Sequence, residues 1–394
     1  MGRAAADLDV WVLAGQSNMQ GCAWRRGALG PDPRVMVFSS AGAWEPAAEP
    51  LHRLWESFTP VHREMMRPGL PHADKDMSDG ELARREARES IVGAGLGLSF
   101  GIAMADALGR RIGLVAAAHG GTTLEQWSPA LKGRGGHSLY GAMLERIARA
   151  GGRLRGVLWY QGESDARLAE DAGTYADRFD RWIAAVRSDT GCADLPVIAV
   201  QLGRVLPAGE AAKEFPFWDL VREAQRTLPE RTRATGVTTA VDLPLTDGIH
   251  VSTAGLVRLG RRMARLALRL TVKPEIPPGP FVSGMETWAT PGGGSNALRI
   301  RFDGMTGGWQ RMDAIRGFTL HAAEGSSEAP PFPINAWVDT EAGDGSVVLL
   351  MSRPLARGEK VAYGIGTDPV CDLVDGADMP LCSFMPRTAE GSRP

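Results

Sequence analysis

The most constraining feature of this chain is an alternation of short, nearly unbroken apolar runs with longer amphipathic stretches, sustained from residue 8 to about residue 272. The runs are Asp9–Ala14, Ile112–Ala117, Gly156–Tyr160, Val197–Leu202 and Gly236–Val241. Apolar runs of this length without polar alternation suit strands covered on both faces, as in a parallel sheet. Between them, Leu96–Leu108, Leu139–Ala150, Thr174–Ser188, Phe217–Leu228 and Thr253–Leu270 place their apolar residues at helical spacing. Five strands with intervening helices predict a flavodoxin-like, three-layer α/β/α fold, with the ligand site outside the carboxyl ends of the strands.

Two stretches interrupt the alternation. Residues 20–95 form a long insertion after the first strand, with tryptophans, prolines and a charged segment around Asp74–Glu89. A stretch of that length without periodicity reads as a functional loop or a partly disordered one. Residues 273–296 read as a linker, through Pro277-Pro278 and Pro291-Gly292-Gly293-Gly294. Beyond it, Ala297–Phe302, Phe318–Ala322, Asn335–Val338, Val347–Met351 and Val361–Ile365 are short strand-like runs separated by turn residues. The expected organisation is a catalytic α/β domain over residues 1–272, the linker, and a small all-β, sandwich-like domain over residues 297–394.

Composition narrows the function classes. Lys plus Arg and Asp plus Glu number 44 and 46, so the net charge is −2, with both signs interspersed. That balance predicts neither nucleic acid nor a membrane as partner. The run Val10–Ala14 is too short for a secretory signal and leads into a candidate nucleophile, so the expected location is the cytoplasm, or the periplasm or exterior had a signal been removed. The four cysteines, Cys22, Cys192, Cys371 and Cys382, lack zinc spacing. Cys371 and Cys382 lie close enough in sequence to bridge, and free thiols are the simpler expectation.

The chemistry gathers at the ends of the strand-like runs. Ser17 stands in Gly15-Gln16-Ser17-Asn18-Met19, directly after the first run. A serine hydroxyl needs a base to become a nucleophile, and Asp247-Gly248-Ile249-His250 supplies a carboxylate three residues before an imidazole. On one tight turn the carboxylate orients the ring through Nδ1 and leaves Nε2 for the serine. His119-Gly120-Gly121-Thr122 follows the second run and Gln161-Gly162-Glu163-Ser164 the third. A glycine N–H and the Gln161 amide at adjacent strand ends, with the Ser17 N–H, predict an oxyanion hole.

These blocks resemble those of the SGNH (GDSL-like) hydrolase superfamily, and within it the sialate O-acetylesterase and acetylxylan esterase branch, where the first block reads GQSNM and the third QGE. The Gly120-Gly121-Thr122 to Gln126-Trp127 segment and Gly317-Phe318, Val361-Ala362-Tyr363-Gly364 and Met379-Pro380-Leu381 extend the likeness over nearly the whole chain. The resemblance implies Ser17 as nucleophile, His250 as base, Asp247 as its orienter, and Ser17, Gly120 and Gln161 as oxyanion donors. It implies an acetylated sugar as substrate and no metal or organic cofactor. A lipolytic or thioester hydrolase of the same fold, or a non-catalytic sugar-binding protein, stands as the alternative.

Other residues carry weaker signals. His52, His62 and His72 recur at even intervals in the insertion and read as solvated loop histidines rather than metal ligands. His119 reads as structural or as a substrate contact, and Glu163 as a brace of its loop rather than a partner of His250. Trp24, Trp44, Trp55 and Trp127 offer faces for a sugar ring, and each taken singly reads as core. The basic run Arg258–Arg269 reads as a solvated helix face.

Overall fold

The structure, a computed structural model, describes residues 7–206, 214–288 and 296–389. Pro291-Gly292-Gly293-Gly294 lies outside the described residues. Nine strands precede residue 240: β1 Asp9–Gly15, β2 Ala23–Trp24, β3 Val35–Phe38, β4 Trp44–Pro46, β5 Val92–Ala94, β6 Ile112–Ala116, β7 Arg153–Tyr160, β8 Val197–Gln201 and β9 Thr235–Thr239. Seven of them form one sheet in the order β4-β3-β6-β1-β7-β8-β9. Every neighbouring pair is parallel except β3 with β4, which makes the sheet mixed.

The five strands legible in the sequence, taken in chain order, lie side by side as second, first, third, fourth and fifth, which is the flavodoxin order. β1 is central and buried along its whole length, with helices on both faces, which explains its unbroken apolar run. The helix Thr253–Thr271 packs against Gly97–Leu108. There a Cβ on Gly260 would stand 2.4 Å from the Leu96 carbonyl oxygen, so only glycine allows the two backbones to approach.

The insertion differs from its expectation. It supplies β3 and β4 to the sheet edge, the ribbon β2/β5, and the helices Pro60–Met66 and Asp79–Glu89. The second helix opens on a capping box in which Ser78 and Glu81 satisfy each other's backbone N–H. β3 is only four residues long, and its pairing with β6 decides its structure more than its own pattern does.

The remaining strands are β10 Phe281–Trp288, β11 Ala297–Asp303, β12 Phe318–His321, β13 Pro333–Val338, β14 Val347–Met351, β15 Lys360–Tyr363 and β16 Phe384–Thr388. They form two antiparallel sheets, β10-β11-β14-β13 and β12-β15-β16. Residues of both sheets, such as Ile300, Leu349, Val361 and Tyr363, meet in one core. The stretch read as linker therefore contains an eight-residue strand, β10. Of its side chains only Met285 is buried, which fits an edge strand with little apolar signature. All four cysteines are free thiols. Among the described residues no helix is long and apolar enough to cross a membrane.

The basic run on the helix Thr253–Thr271 is only in part a solvated face. Arg261 is exposed, but Arg258, Arg262 and Arg265 join this helix to the β module. Arg262, buried, bonds Asp242 at 2.8 and 2.7 Å and Asp378 at 3.1 Å. Arg258 pairs with Asp378, and Arg265 donates to Thr306 Oγ1 at 2.6 Å. Sequence shows the charges but not the acceptors, which arrive from more than 100 residues away for Asp378. Nearby, Gln201 exchanges two hydrogen bonds with the Ser383 backbone at 2.7 and 2.8 Å. Removing one partner of a buried ion pair leaves the other charge uncompensated, which typically costs about 3–5 kcal/mol. Arg262→Ala is therefore expected to lose about that much stability in urea unfolding, while Arg261→Ala, on the exposed side of the same turn, changes it by less than about 0.5 kcal/mol. Equal effects of the two would remove Arg262 from this role.

Candidate active site

β1 delivers Ser17. At its end Gly15 takes φ +133°, and a Cβ there would fall 2.2 Å from the Tyr160 carbonyl oxygen. Glycine alone allows the chain to leave the sheet this close to β7, and Gln16 N–H then bonds the same carbonyl at 2.8 Å. Ser17 opens the one-turn helix Ser17–Gln20. Its N–H donates to no protein acceptor among the described residues.

His250 arrives on a turn closed by a bridge between Leu245 and Val251 and by Thr246 N–H to the His250 carbonyl at 2.8 Å. Asp247 Oδ1 accepts the backbone N–H of Ile249 and of His250 at 2.8 Å each. Its Oδ2 stands 2.7 Å from His250 Nδ1. Partial burial raises the Asp247 carboxyl, but the Ile249 and His250 donors outweigh it and hold the pKa below the ordinary carboxylate value. The carboxylate is thus kept ionised and the ring oriented, with Nε2 left over.

Asn18 joins these two pieces. Its Oδ1 accepts the Val251 N–H at 2.9 Å, so the residues following Ser17 and His250 are directly bonded. Its Nδ2 donates to Glu163 Oε1 at 2.9 Å and to the Ile249 carbonyl at 3.4 Å. The Ser17 hydroxyl and His250 Nε2 have no protein hydrogen-bond partner among the described residues. In free enzymes the bond between nucleophile and base is often long, and it tightens around substrate.

Glu163, read as a brace of its own loop, reaches across to the turn that carries Ser17. It is buried and bonded to Asn18, and Gln16 is placed to donate to its Oε2 at 3.1 Å. Burial raises its pKa, against the opposing pull of the Asn18 amide. Gly120 lies against Ser17, since a Cβ on it would be 3.4 Å from the Ser17 Cβ, whereas a Cβ on Gly121 would meet nothing. The Gly120 N–H is held by Gln20 Oε1 at 2.8 Å.

Gln161, expected as an oxyanion donor, is bonded within the protein in the free state. It is fully buried, and its Nε2 donates to the Thr122 carbonyl at 2.9 Å and to Asp165 Oδ2 at 2.5 Å. Both of its N–H bonds are thus engaged in the free protein, as the Gly120 N–H is. The motif specifies the amide but not its direction, which Asp165 decides. Asp165 in turn accepts the Leu124 N–H and pairs with Arg178 at 2.9 Å, and burial pushes its carboxyl up to about 6. Sequence reading passed over Asp165 and Gln20, which lie just outside the recognisable blocks.

The histidines also differ from expectation. His72 is exposed, but His52 and His62 are buried, and His62 Nδ1 stands 3.1 Å from His119 Nδ1. Across that contact one Nδ1 donates and the other accepts, and the two rings stack with centroids 5.3 Å apart. Among the described residues no group of three or more His, Cys, Asp or Glu is arranged to hold a metal. Of the tryptophans, Trp55 and Trp127 are buried, and Trp44 is half-buried with its indole N–H on the Ala150 carbonyl. Trp24 is 56% exposed, and Thr253 Oγ1 donates to its carbonyl at 2.5 Å, three residues beyond His250.

Ser17 after the first strand, the Asp247–His250 turn after the last of this sheet and Gly120 beside the serine thus stand together on a sheet in the flavodoxin order. A family model described as carbohydrate esterase, sialic acid-specific acetylesterase, matches residues 7–269, and the chain belongs to that family. A protein of Arabidopsis thaliana named "Probable carbohydrate esterase" is 30% identical over 286 residues, covering 66% of this chain and 90% of its own length. The crystal structure of a carbohydrate acetylesterase from Xanthomonas citri shares the fold over 95% of this chain and 80% of its own, with a TM-score of 0.67 at 21% identity.

The buried histidines carry a consequence for pH. Burial lowers His52 to about 3 and His119 to about 4, from an ordinary 6.5, with the Arg146 charge adding to the effect on His52. The unfolded chain therefore binds these protons first, and the stability present above pH 6.5 is lost as pH falls toward the folded values. Asp165 and Glu49, raised to about 6 and about 7 by burial, act in the opposite sense, so the contrast has to be differential. Relative to wild type, His52→Leu is expected to gain about 2 kcal/mol between pH 7 and pH 5 in urea unfolding, from about 1.4 kcal/mol per unit below the ordinary value. An unchanged difference at the two pH values would contradict a buried, neutral His52.

Proposed function

We propose that this carbohydrate esterase is a serine acetylesterase that removes acetyl groups from sugar hydroxyls, with Ser17, His250 and Asp247 as its triad. The observation that carries the reading is the Asn18 bond to Val251, which fixes the oriented His250 turn to the nucleophile turn. Family membership supports the substrate class, and sialic acid is the first sugar to try.

The reaction is an acyl transfer in two halves. Ser17 Oγ forms a bond to the acetyl carbonyl carbon while its proton passes to His250 Nε2. The Asp247 carboxylate stabilises the imidazolium through Nδ1. The negative oxygen of the tetrahedral intermediate receives the N–H groups of Ser17 and Gly120. The bond from carbon to the sugar oxygen then breaks, and the sugar leaves with the proton from His250. A water molecule repeats the sequence on the acetyl-serine, His250 taking its proton and returning it to Ser17, and acetic acid is released. Trp24, the exposed indole beside the His250 turn, suits the C–H face of a pyranose ring.

The test is acetate release from a panel of acetylated sugars, sialic acids included. Ser17→Ala and His250→Ala are expected to lower kcat by about 10⁴-fold or more in folded protein. Trp24→Ala is expected to raise KM for the sugar several-fold, from about 1 kcal/mol of stacking, and to leave a small aryl acetate unaffected. Release that survives Ser17→Ala would remove the triad, and a preference for long-chain aryl esters over every sugar would move the substrate class to lipids.

A further inference from the structure

We propose that Gln20 is the side-chain donor of the oxyanion hole, an assignment that rests on the serine esterase reading above. With Gln161 engaged underneath, the Ser17 and Gly120 N–H groups are the two backbone donors left. The amide beside Gly120 is that of Gln20, one turn after Ser17 on the same short helix and half-buried. A Cβ on Gly120 would lie 3.3 Å from Gln20 Oε1 and 3.4 Å from the Ser17 Cβ, so the carboxamide, Gly120 and the nucleophile share one small space. Gln20 Oε1 occupies the Gly120 N–H at 2.8 Å, as the oxygen of an acyl group would. Its Nε2 donates to no protein acceptor among the described residues.

The chemistry of the exchange gives Gln20 its role. A neutral ester oxygen accepts from Gly120 no better than the Gln20 amide oxygen does. A developing oxyanion accepts far better, because charge-assisted hydrogen bonds are roughly twice as strong as neutral ones. As charge builds, the acyl oxygen takes the Gly120 N–H. The displaced carboxamide withdraws by turning about its inner side-chain bonds and presents Nε2 to the same oxygen from hydrogen-bond distance. The contact is made in the transition state and not in the ground state, so it raises kcat and leaves KM nearly alone.

The experiment compares wild type, Ser17→Ala, Gln20→Ala and Gln20→Met in acetate release, with folding checked by circular dichroism. Gln20→Met keeps the length of the side chain without an N–H, and serves if the alanine variant does not fold. The expected result is a fall in kcat of about 100- to 1,000-fold in both Gln20 variants, with KM within about threefold of wild type. Unchanged or faster turnover in a folded Gln20 variant, with Ser17→Ala inactive, would overturn the proposal and make Gln20 only an obstruction. A fall carried by KM alone would likewise assign Gln20 to substrate binding. Full activity of Ser17→Ala would bring down the esterase reading itself, a result distinguishable from either.

Discussion

The site depends on one buried carboxamide. Asn18 bonds Glu163, 145 residues away, and Val251, 233 residues away, and so gathers three loops from three strand ends. The need is geometric. β9 is the third neighbour of β1, about 14 Å across the sheet at ordinary strand spacing, and the chain from β9 must run back over the intervening strand ends. The turn that carries His250 is half-exposed, and besides the Leu206 N–H on the Gly248 carbonyl at 2.7 Å it is held by the Asn18 side chain. Asn18, next to Ser17, ties it down, so the separation of His250 and Ser17 is set by a neighbour rather than by either of them.

Beneath that anchor lies a second layer with no contact to solvent. Gln161, Asp165, Tyr175 and Gln225 are all buried, and each hydrogen-bonds another: Tyr175 Oη and Gln225 Nε2 both donate to the Gln161 carbonyl, at 2.9 and 2.8 Å. A polar network that is fully paired in a low dielectric is stiff, and costly to leave half-made. Its upper edge is the Thr122 carbonyl, held by Gln161, while Thr122 Oγ1 bonds the His119 carbonyl at 2.9 Å. The segment that presents Gly120 is therefore supported from below by side chains and from beside by the His62–His119 contact.

What could be read from the sequence follows from what a local pattern can record. β1 and β6 to β9 were legible because burial on both faces forces continuous apolar runs. The blocks around Ser17, Gly120, Asp247 and His250, whose proximity the structure bears out for Gly120 with Ser17 and Asp247 with His250, stand out because they are short and contiguous. β3, β10 and β16 were not, because a brief or edge strand owes its conformation to its partner; β16 even contains Pro386, which an edge strand tolerates. The direction of the Gln161 amide, the burial of His52 and His62 and the destinations of the arginines all depend on residues distant in sequence. The chemical type of each was visible, and its partner was not.

The arginine row has a consequence for any recombination of this chain. The helix that begins just after His250 carries, on its next turns, the side chains that hold the β module, and Val241 of the α/β part is counted in the module's core while Met379 of the module lies in the other. A cut placed at the proline-rich stretch would follow the sequence but divide a shared interior. The graft that respects the physics carries Asp242, Arg258, Arg262 and Arg265 along with the strands. The seam between the two halves lies inside the helix, not between it and the module.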